Sequence, residues 1–316
     1  MSPFTLTTPV ALLVFNRPDE TSRVFAAIRE ARPQQLLVIA DGPRTNRPDE
    51  VARCIKVRQI IEQVDWPCQV EYLYSETNLG CRKRVSSGLD WVFSQVEEAI
   101  ILEDDCLPDQ TFFRYCQEML ALYRYDERVM MVSGSNLLEE WKTATQSYHF
   151  SYYGGVWGWA SWRRAWHYYD VDMPLWGEPE IRDRVCDVIG AKIDFNKRAK
   201  AFDNTASGRI DTWDYQWSFA RLMQSGLTVV PSVNLVSNIG FGRDATHTKN
   251  ARASVANLEV RQCSFPLMIT PFVAVDRGYD AAFLKKVLSQ QTLLWKISDV
   301  LRLVLGFLTG RKDDYA

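Results

Sequence analysis

Apolar residues fall along the first third of this chain in short unbroken runs separated by stretches of helical spacing. Val10 to Phe15 (VALLVF) is a continuous apolar run that stops at Asn16-Arg17-Pro18, the pattern of a strand buried on both faces and closed by a turn. Val24, Ala27, Ile28 and Ala31 then recur at helical spacing behind Asp19, a candidate N-cap, and Glu20, a first-turn acid. A second run, Leu36 to Ala40 (LLVIA), stops at Asp41-Gly42-Pro43. The alternation predicts a helix around Glu50 to Gln63, a strand near Val70 to Tyr74, a helix from about Arg82 to Val96 and a strand at Ala99 to Leu102. Strands alternating with helices imply an α/β fold, with a mostly parallel sheet flanked by helices and right-handed crossovers.

In open sheets of this kind ligands sit beyond the carboxyl ends of the strands. The unusual polar groups fall there: Asn16-Arg17, Asp41-Gly42, Asn78-Leu79-Gly80 and Glu103-Asp104-Asp105. Four loops are therefore expected to converge on one crevice. From about Met130 the pattern becomes irregular and aromatic, centred on YYGGVWGWASWRRAW (Tyr152 to Trp166). With no repeat and no Pro/Gly/Ser-rich linker, residues 1–130 and 131–275 read as two halves of one core, followed by a tail, 276–316. Phe283 to Leu308 is rich in apolar residues, but Lys285, Lys286, Lys296 and Arg302 interrupt it, short of the roughly 20 apolar residues a bilayer span needs. It reads as an amphipathic C-terminal helix, lying on a membrane or packed on protein, a second subunit included.

The 37 basic and 39 acidic residues leave a net charge of −2, which excludes a whole-molecule attraction for nucleic acid. Any anion site must be local. Seven scattered cysteines without a CxxC pair argue against a disulfide framework or a zinc site and fit a reducing cytoplasm. The N-terminal apolar run lacks a basic leader and is expected to be the first strand, neither signal peptide nor anchor. Eleven Trp, 13 Tyr and 15 Phe supply rings that either pack the core or stack on sugar faces.

ILEDDCLP (Ile101 to Pro108) carries the most chemistry. A buried strand ends in three consecutive acids, whose burial is costly unless they are paired or face a cation. Manganese or magnesium bridging a pyrophosphate meets that need, since such ions take one or two carboxylates plus substrate phosphates. Arg17, Arg82, Lys83 and Arg84 are the local cations that a pyrophosphate requires in a chain without net positive charge; the CRKR run also suits a solvated helix face.

VFNRPDE, ADGPR at Ala40 to Arg44, NLGCRKRVSSGLDW at Asn78 to Trp91 and LEDDCLP resemble the nucleotide-sugar half of GT-A-fold glycosyltransferases, a Rossmann-like architecture. The likeness is strongest to bacterial family-2-like sugar transferases, some of which carry an old "hemolytic protein" label, and it runs from about Pro9 to Thr248. The motif order also resembles N-acetylglucosaminyltransferase I, an inverting enzyme with an EDD metal motif. The resemblance implies that Phe15, Asn16 and Arg17 line a uridine pocket, that Asp41 contacts the base, and that Asn78, Gly80 and Arg84 border the nucleotide. It also implies that Asp105 holds the metal, with Glu103 and Asp104 near the donor sugar and ribose. GGVWGWASW, with Trp157, Gly158 and Trp159, would form the donor-sugar and acceptor floor; a Trp-rich core turn is the other reading.

In the second half, DTWDYQW (Asp211 to Trp217) supplies Asp214 as the base implied for an inverting transfer, with Asp211 as its rival if the segment is helical; surface or helix-cap carboxylates are the other reading of both. His247, in SNIGFGRDATHT, is a metal-ligand or phosphate-contact candidate as well as a structural hydrogen-bonder. The expected activity is hexosyl or N-acetylhexosaminyl transfer from a UDP-sugar to a hydroxyl of a glycan or lipid-linked acceptor, in the cytoplasm, at the inner membrane face if the tail binds lipid. A retaining transferase would share the metal site but lack the base. A sugar nucleotidyltransferase usually carries a glycine-rich loop after the first strand, and FNRPDE has no glycine. A non-catalytic carbohydrate-binding or membrane-associated protein would have no use for the acid triplet.

Overall fold

The computed structural model describes residues 4–190, 192–241 and 258–286; His247 and the tail beyond 286 lie outside the described residues. All five residues of β1 (Val10–Val14) are buried, because both faces of this strand are covered and no polar side chain has an outlet. The chain turns into α1 (Pro18–Ala31) with Pro18 at the first helical turn, where its fixed φ suits the helix and its missing N–H is not needed. This helix starts earlier than expected: Arg17 takes the cap position, and Asp19 falls with Glu20 in the first turn. Thr21, Val24, Phe25 and Ile28 form its buried face.

β2 (Gln35–Ala40), α2 (Asp49–Ile61), β3 (Gln69–Tyr74), α3 (Cys81–Gln95) and β4 (Glu98–Glu103) follow, each close to the span that the periodicity predicts. β3, β2, β1 and β4 lie side by side and parallel, with Val10 opposite Leu36 on one side and Ile100 on the other. This register puts the carboxyl ends of all four strands at one edge.

The aromatic second half adds β5 (Cys106–Pro108), α4 (Gln110–Tyr123), β6 (Val129–Ser133), β7 (Tyr148–Ser151), β8 (Trp159–Trp162), α5 (Arg163–Trp166), α6 (Pro179–Ile189), α7 (Lys192–Ala206), α8 (Asp214–Met223), β9 (Leu227–Pro231) and β10 (Val236–Asn238). Four of these strands join the first four in one sheet, ordered β3-β2-β1-β4-β8-β6-β9-β7. β8 runs antiparallel between β4 and β6, and β7 runs antiparallel to β9 at the edge. The other six strands share one direction, so the architecture is α/β with a mostly parallel sheet and helices on both faces.

One face of the sheet packs Leu12, Val38 and Leu102 against α1 and α4. The other packs Leu13, Ile39 and Ile101 against α3 and a group of tryptophans, in which Trp159 stacks on Trp213 at 5.5 Å and 21°. A separate pair, β5 with β10, is antiparallel and sets Asn238 opposite Cys106, beside the acid triplet. Among the described residues no helix is long and apolar enough to cross a membrane, and all seven cysteines are free thiols.

Candidate functional site

A cleft of about 680 Å³ opens at the carboxyl ends of β1 to β4. Phe15 and Arg17 reach it from the loop after β1, Asp41 and Arg44 from that after β2, Asn78 and Gly80 from that after β3, and Glu103, Asp104 and Asp105 from the end of β4. Asn16, in the same loop as Phe15 and Arg17, is not among the lining residues.

The three acids diverge, because successive side chains of a strand-end turn point different ways. Asp104 Oδ2 accepts from the Phe15 N–H at 3.0 Å, which ties the β4 turn to the β1 loop. Asp105 Oδ2 accepts from Arg17 Nη1 at 2.5 Å, and its Oδ1 accepts from Asn238 Nδ2 at 3.2 Å. The Ile239 N–H donates to the Asp105 carbonyl at 2.8 Å, and the Gly240 N–H to Asn238 Oδ1 at 2.9 Å. A Cβ at Gly240 would run into Asp105 and Arg17, so the close approach of the segment after β10 to the acid requires glycine. Burial, then the charge of Asp105, pushes the Asp104 carboxyl up to about 7, while Arg17 pulls it down. Burial, then Asp105, Asp104 and Asp214, holds Glu103 well above the usual carboxylate range.

The loops at the other end hold one another. Asp41 accepts from three donors, the Gly42 N–H, the Asn78 amide and the Leu79 N–H, the last shared between both oxygens, at 2.9 to 3.2 Å. A carboxylate has about four lone-pair positions, so Asp41 shapes these loops with its side chain already engaged. Burial is the main reason that its pKa is raised. The CRKR run separates three ways. Arg84 is buried, lines the cleft and donates to the Leu73 carbonyl at 2.8 Å. Arg82 instead turns to Asp172 and the Val171 carbonyl, and Lys83 is exposed. Arg44, which nothing in the residue pattern singled out, lies 5.7 Å over the Phe15 ring.

Asp211 and Asp214 both line the cleft, in unlike roles. The helix begins at Asp214, so the two do not share a helical face. Asp211 accepts from the N–H groups of Cys81 and Arg82 at 3.2 and 3.0 Å, the first two donors of α3, and thus caps that helix from across the chain. Gly80, at φ +79°, permits the turn into α3 beneath it. Asp214 accepts from the Thr212 hydroxyl, and its charge contributes to raising Glu103 and the Cys81 thiol.

The Trp-rich segment divides as well. Trp157 lines the cleft, edge-on to Phe241 at 5.7 Å. Trp159, expected on the same wall, is instead fully buried in the tryptophan core: it opens β8, a central strand whose four residues are all buried because both faces of the sheet are covered. Gly158 is not a lining residue; a Cβ there would meet Val236 and Leu102. The far end of the cleft carries Tyr153, Arg198, Ser218 and Arg221, none of them singled out from the sequence. Isolated arginines on amphipathic helices give no local signal.

No group of three or more His, Cys, Asp or Glu side chains is arranged to hold a metal among the described residues. A site completed by substrate is a different matter, since magnesium or manganese takes one or two carboxylates and several phosphate oxygens. Three adjacent acids facing the single guanidinium of Arg17 suit such an ion, and Asp105 is the one fixed from both sides.

No protein-family model matches the chain, and no curated protein does. Among solved structures, a 4-diphosphocytidyl-2C-methyl-D-erythritol synthase from Anaerococcus prevotii DSM 20548 is 11% identical with a TM-score of 0.27, over 40% of this chain and 54% of that one. The chain thus spans about half the length of that synthase. UDP-glucose pyrophosphorylase in its apo form and in complex with UDP-glucose is 8% and 9% identical, each with a TM-score of 0.33 over 73% of this chain and 93% and 94% of those. At these scores no residue is carried over from them.

Proposed function

We propose that this chain is a metal-dependent, inverting glycosyltransferase of the GT-A type, moving a hexosyl or N-acetylhexosaminyl group from a UDP-sugar to a hydroxyl of a glycan or lipid-linked acceptor. The observation that carries the reading is one cleft that joins the acid triplet and loops of β1 to β4 with Asp214 from α8. Residues 1–130 would bind the nucleotide and 131–275 the acceptor. Phe15, Arg17, Arg44, Asn78 and Arg84 would line the nucleotide end, with Asp41 holding its loops. Asp105 would hold manganese or magnesium together with diphosphate oxygens, and the ion, when bound, neutralises charge on the leaving UDP.

Asp214 would take the proton of the acceptor hydroxyl as its oxygen bonds to the sugar C1 and the C1–O bond to UDP breaks. It suits this better than Asp211, whose carboxylate is engaged by the N-terminus of α3. A sugar nucleotidyltransferase is the weaker alternative. The turn after β1 leads directly into Pro18, which has no N–H to offer a phosphate.

Calorimetric titration with UDP, with and without manganese, tests the reading on the wild type and Asp105→Ala. Binding that needs the metal and is lost in the variant is the expected result. Absence of UDP binding under every metal condition would remove the uridine assignment.

A further inference from the structure

Arg221 is only 2% exposed and lines the cleft, yet it faces no carboxylate among the described residues. Nη1 donates to Thr228 Oγ1 at 2.5 Å and to the Tyr152 carbonyl at 3.4 Å, and Nε has no partner. A guanidinium carries five N–H donors, and burying its charge unpaired is costly. The charge beside it makes matters worse, for Arg198 is also cationic and also lines the cleft, 5.6 Å over the Tyr153 ring and with its own Nε unpartnered. Two neighbouring cations are thus turned to one cavity. Of the acids nearest Tyr153, neither forms an ion pair with Arg198 or Arg221: Asp194 lies 3.9 Å from Lys197, and Asp280 accepts from the Ser151 hydroxyl through Oδ1 while its Oδ2 lies 3.9 Å from Arg277 without a hydrogen bond. Burial and Arg198 push Arg221 down to about 9, which still leaves it charged at neutral pH.

We propose that Arg221 and Arg198 form an anion-binding subsite at the far end of the cleft, which takes an oxyanion, a carboxylate or a phosphate ester, carried by the acceptor. Assignment of that anion to the acceptor rests on the transferase reading above. Asp214, Ser218 and Arg221 fall at positions i, i+4 and i+7 of α8, and all three line the cleft. At 1.5 Å per residue the cation stands about 10 Å along the helix axis from the proposed base. An acceptor hydroxyl held at Asp214 would therefore belong to a molecule whose acidic group lies further along the same face.

The test is calorimetric titration of the full chain, saturated with UDP and manganese so that the nucleotide end is closed to phosphates. Glucuronate and glucose 1-phosphate are the probes, with glucose as the neutral control. The expected result is that one or both acids bind at least about tenfold more tightly than glucose, as charge-assisted hydrogen bonds to guanidinium would give. Whichever acid binds more tightly identifies the anion as carboxylate or phosphate. Arg198→Gln, at a half-buried position, and Arg221→Gln should both abolish the preference. Equal affinity for all three probes, or a preference that survives Arg198→Gln, overturns the subsite. If UDP does not bind but an Arg198-dependent preference for acids persists, the uridine assignment falls and the anion subsite stands.

Discussion

Asp211 and Asp214 show how far two acids three residues apart can differ. Asp211 receives two backbone N–H bonds from α3, whereas Asp214 opens α8 and is bonded only by the nearby Thr212 hydroxyl among the described residues. Replacing the cap, Asp211→Ala, should lower the melting temperature through a loss of about 1 kcal/mol, the usual worth of an N-cap. Asp214→Asn should leave the melt and UDP binding in place and lower turnover by about 10² to 10⁴, the range for a lost general base. An Asp214→Asn enzyme with near-normal turnover would remove the base and favour a retaining mechanism. The sequence offered both acids for one task because the choice depends on where α8 starts and on which distant N–H groups approach. Trp159 is the same lesson in apolar form: its motif suits a sugar floor, and only the central place of β8 in the sheet, covered on both faces, puts it in the core.

At the scale of elements, the first half was legible because its strands are buried on both faces and carry no polar residue to blur them. β7 was not, since it is a short edge strand whose partners come from far along the chain. Val275 bridges Phe150, the Asp276 N–H donates to the Phe150 carbonyl at 2.7 Å, and His149 lies 4.1 Å from the Tyr279 ring. His149 is buried with neither ring nitrogen bonded. Burial lowers its pKa to about 4, with Lys142 adding to the effect and Asp276 opposing it. The unfolded chain takes up a proton near pH 6.5 and the folded chain only near 4, so His149 contributes stability that is present above 6.5 and lost as pH falls towards 4. The gap corresponds to about 3 kcal/mol. Asp280, on the helical stretch 277–286, acts with the opposite sign: burial raises it to about 6, and its contribution is lost as pH rises through that value. The wild-type profile is therefore flattened, and a variant isolates each part. His149→Phe should gain on the wild type in melting temperature between pH 7.5 and pH 4.5; a pH-independent difference would refute the account.

For the whole molecule, the strand–helix alternation foretold a parallel sheet but not the place of β8, because an antiparallel insertion leaves no mark on local periodicity. That placement decides how the chain unfolds. β8 pairs with β4 on one side and β6 on the other, so the two halves are joined by strand hydrogen bonds across the sheet. The core is shared in the same way: Trp159 of β8 packs in one cluster with Leu13 and Ile101 of the first half, with Trp213 at the start of α8 and with Trp217 within it. Removing the second half would leave β4 with a bare edge and the faces of β1 and β4 open to water, exposing both unpaired strand groups and apolar surface. At 316 residues a single transition is not the default, since chains beyond about 150 residues often unfold in stages. Here the shared strand and shared core should nevertheless enforce one. Urea unfolding followed by far-ultraviolet circular dichroism and by tryptophan fluorescence should give coincident curves, and a fragment ending at residue 130 should show no cooperative melt. Two separated transitions, or a fragment that melts cooperatively, would mean that the first half holds its own core and that the β4–β8 seam is only a contact between independent units.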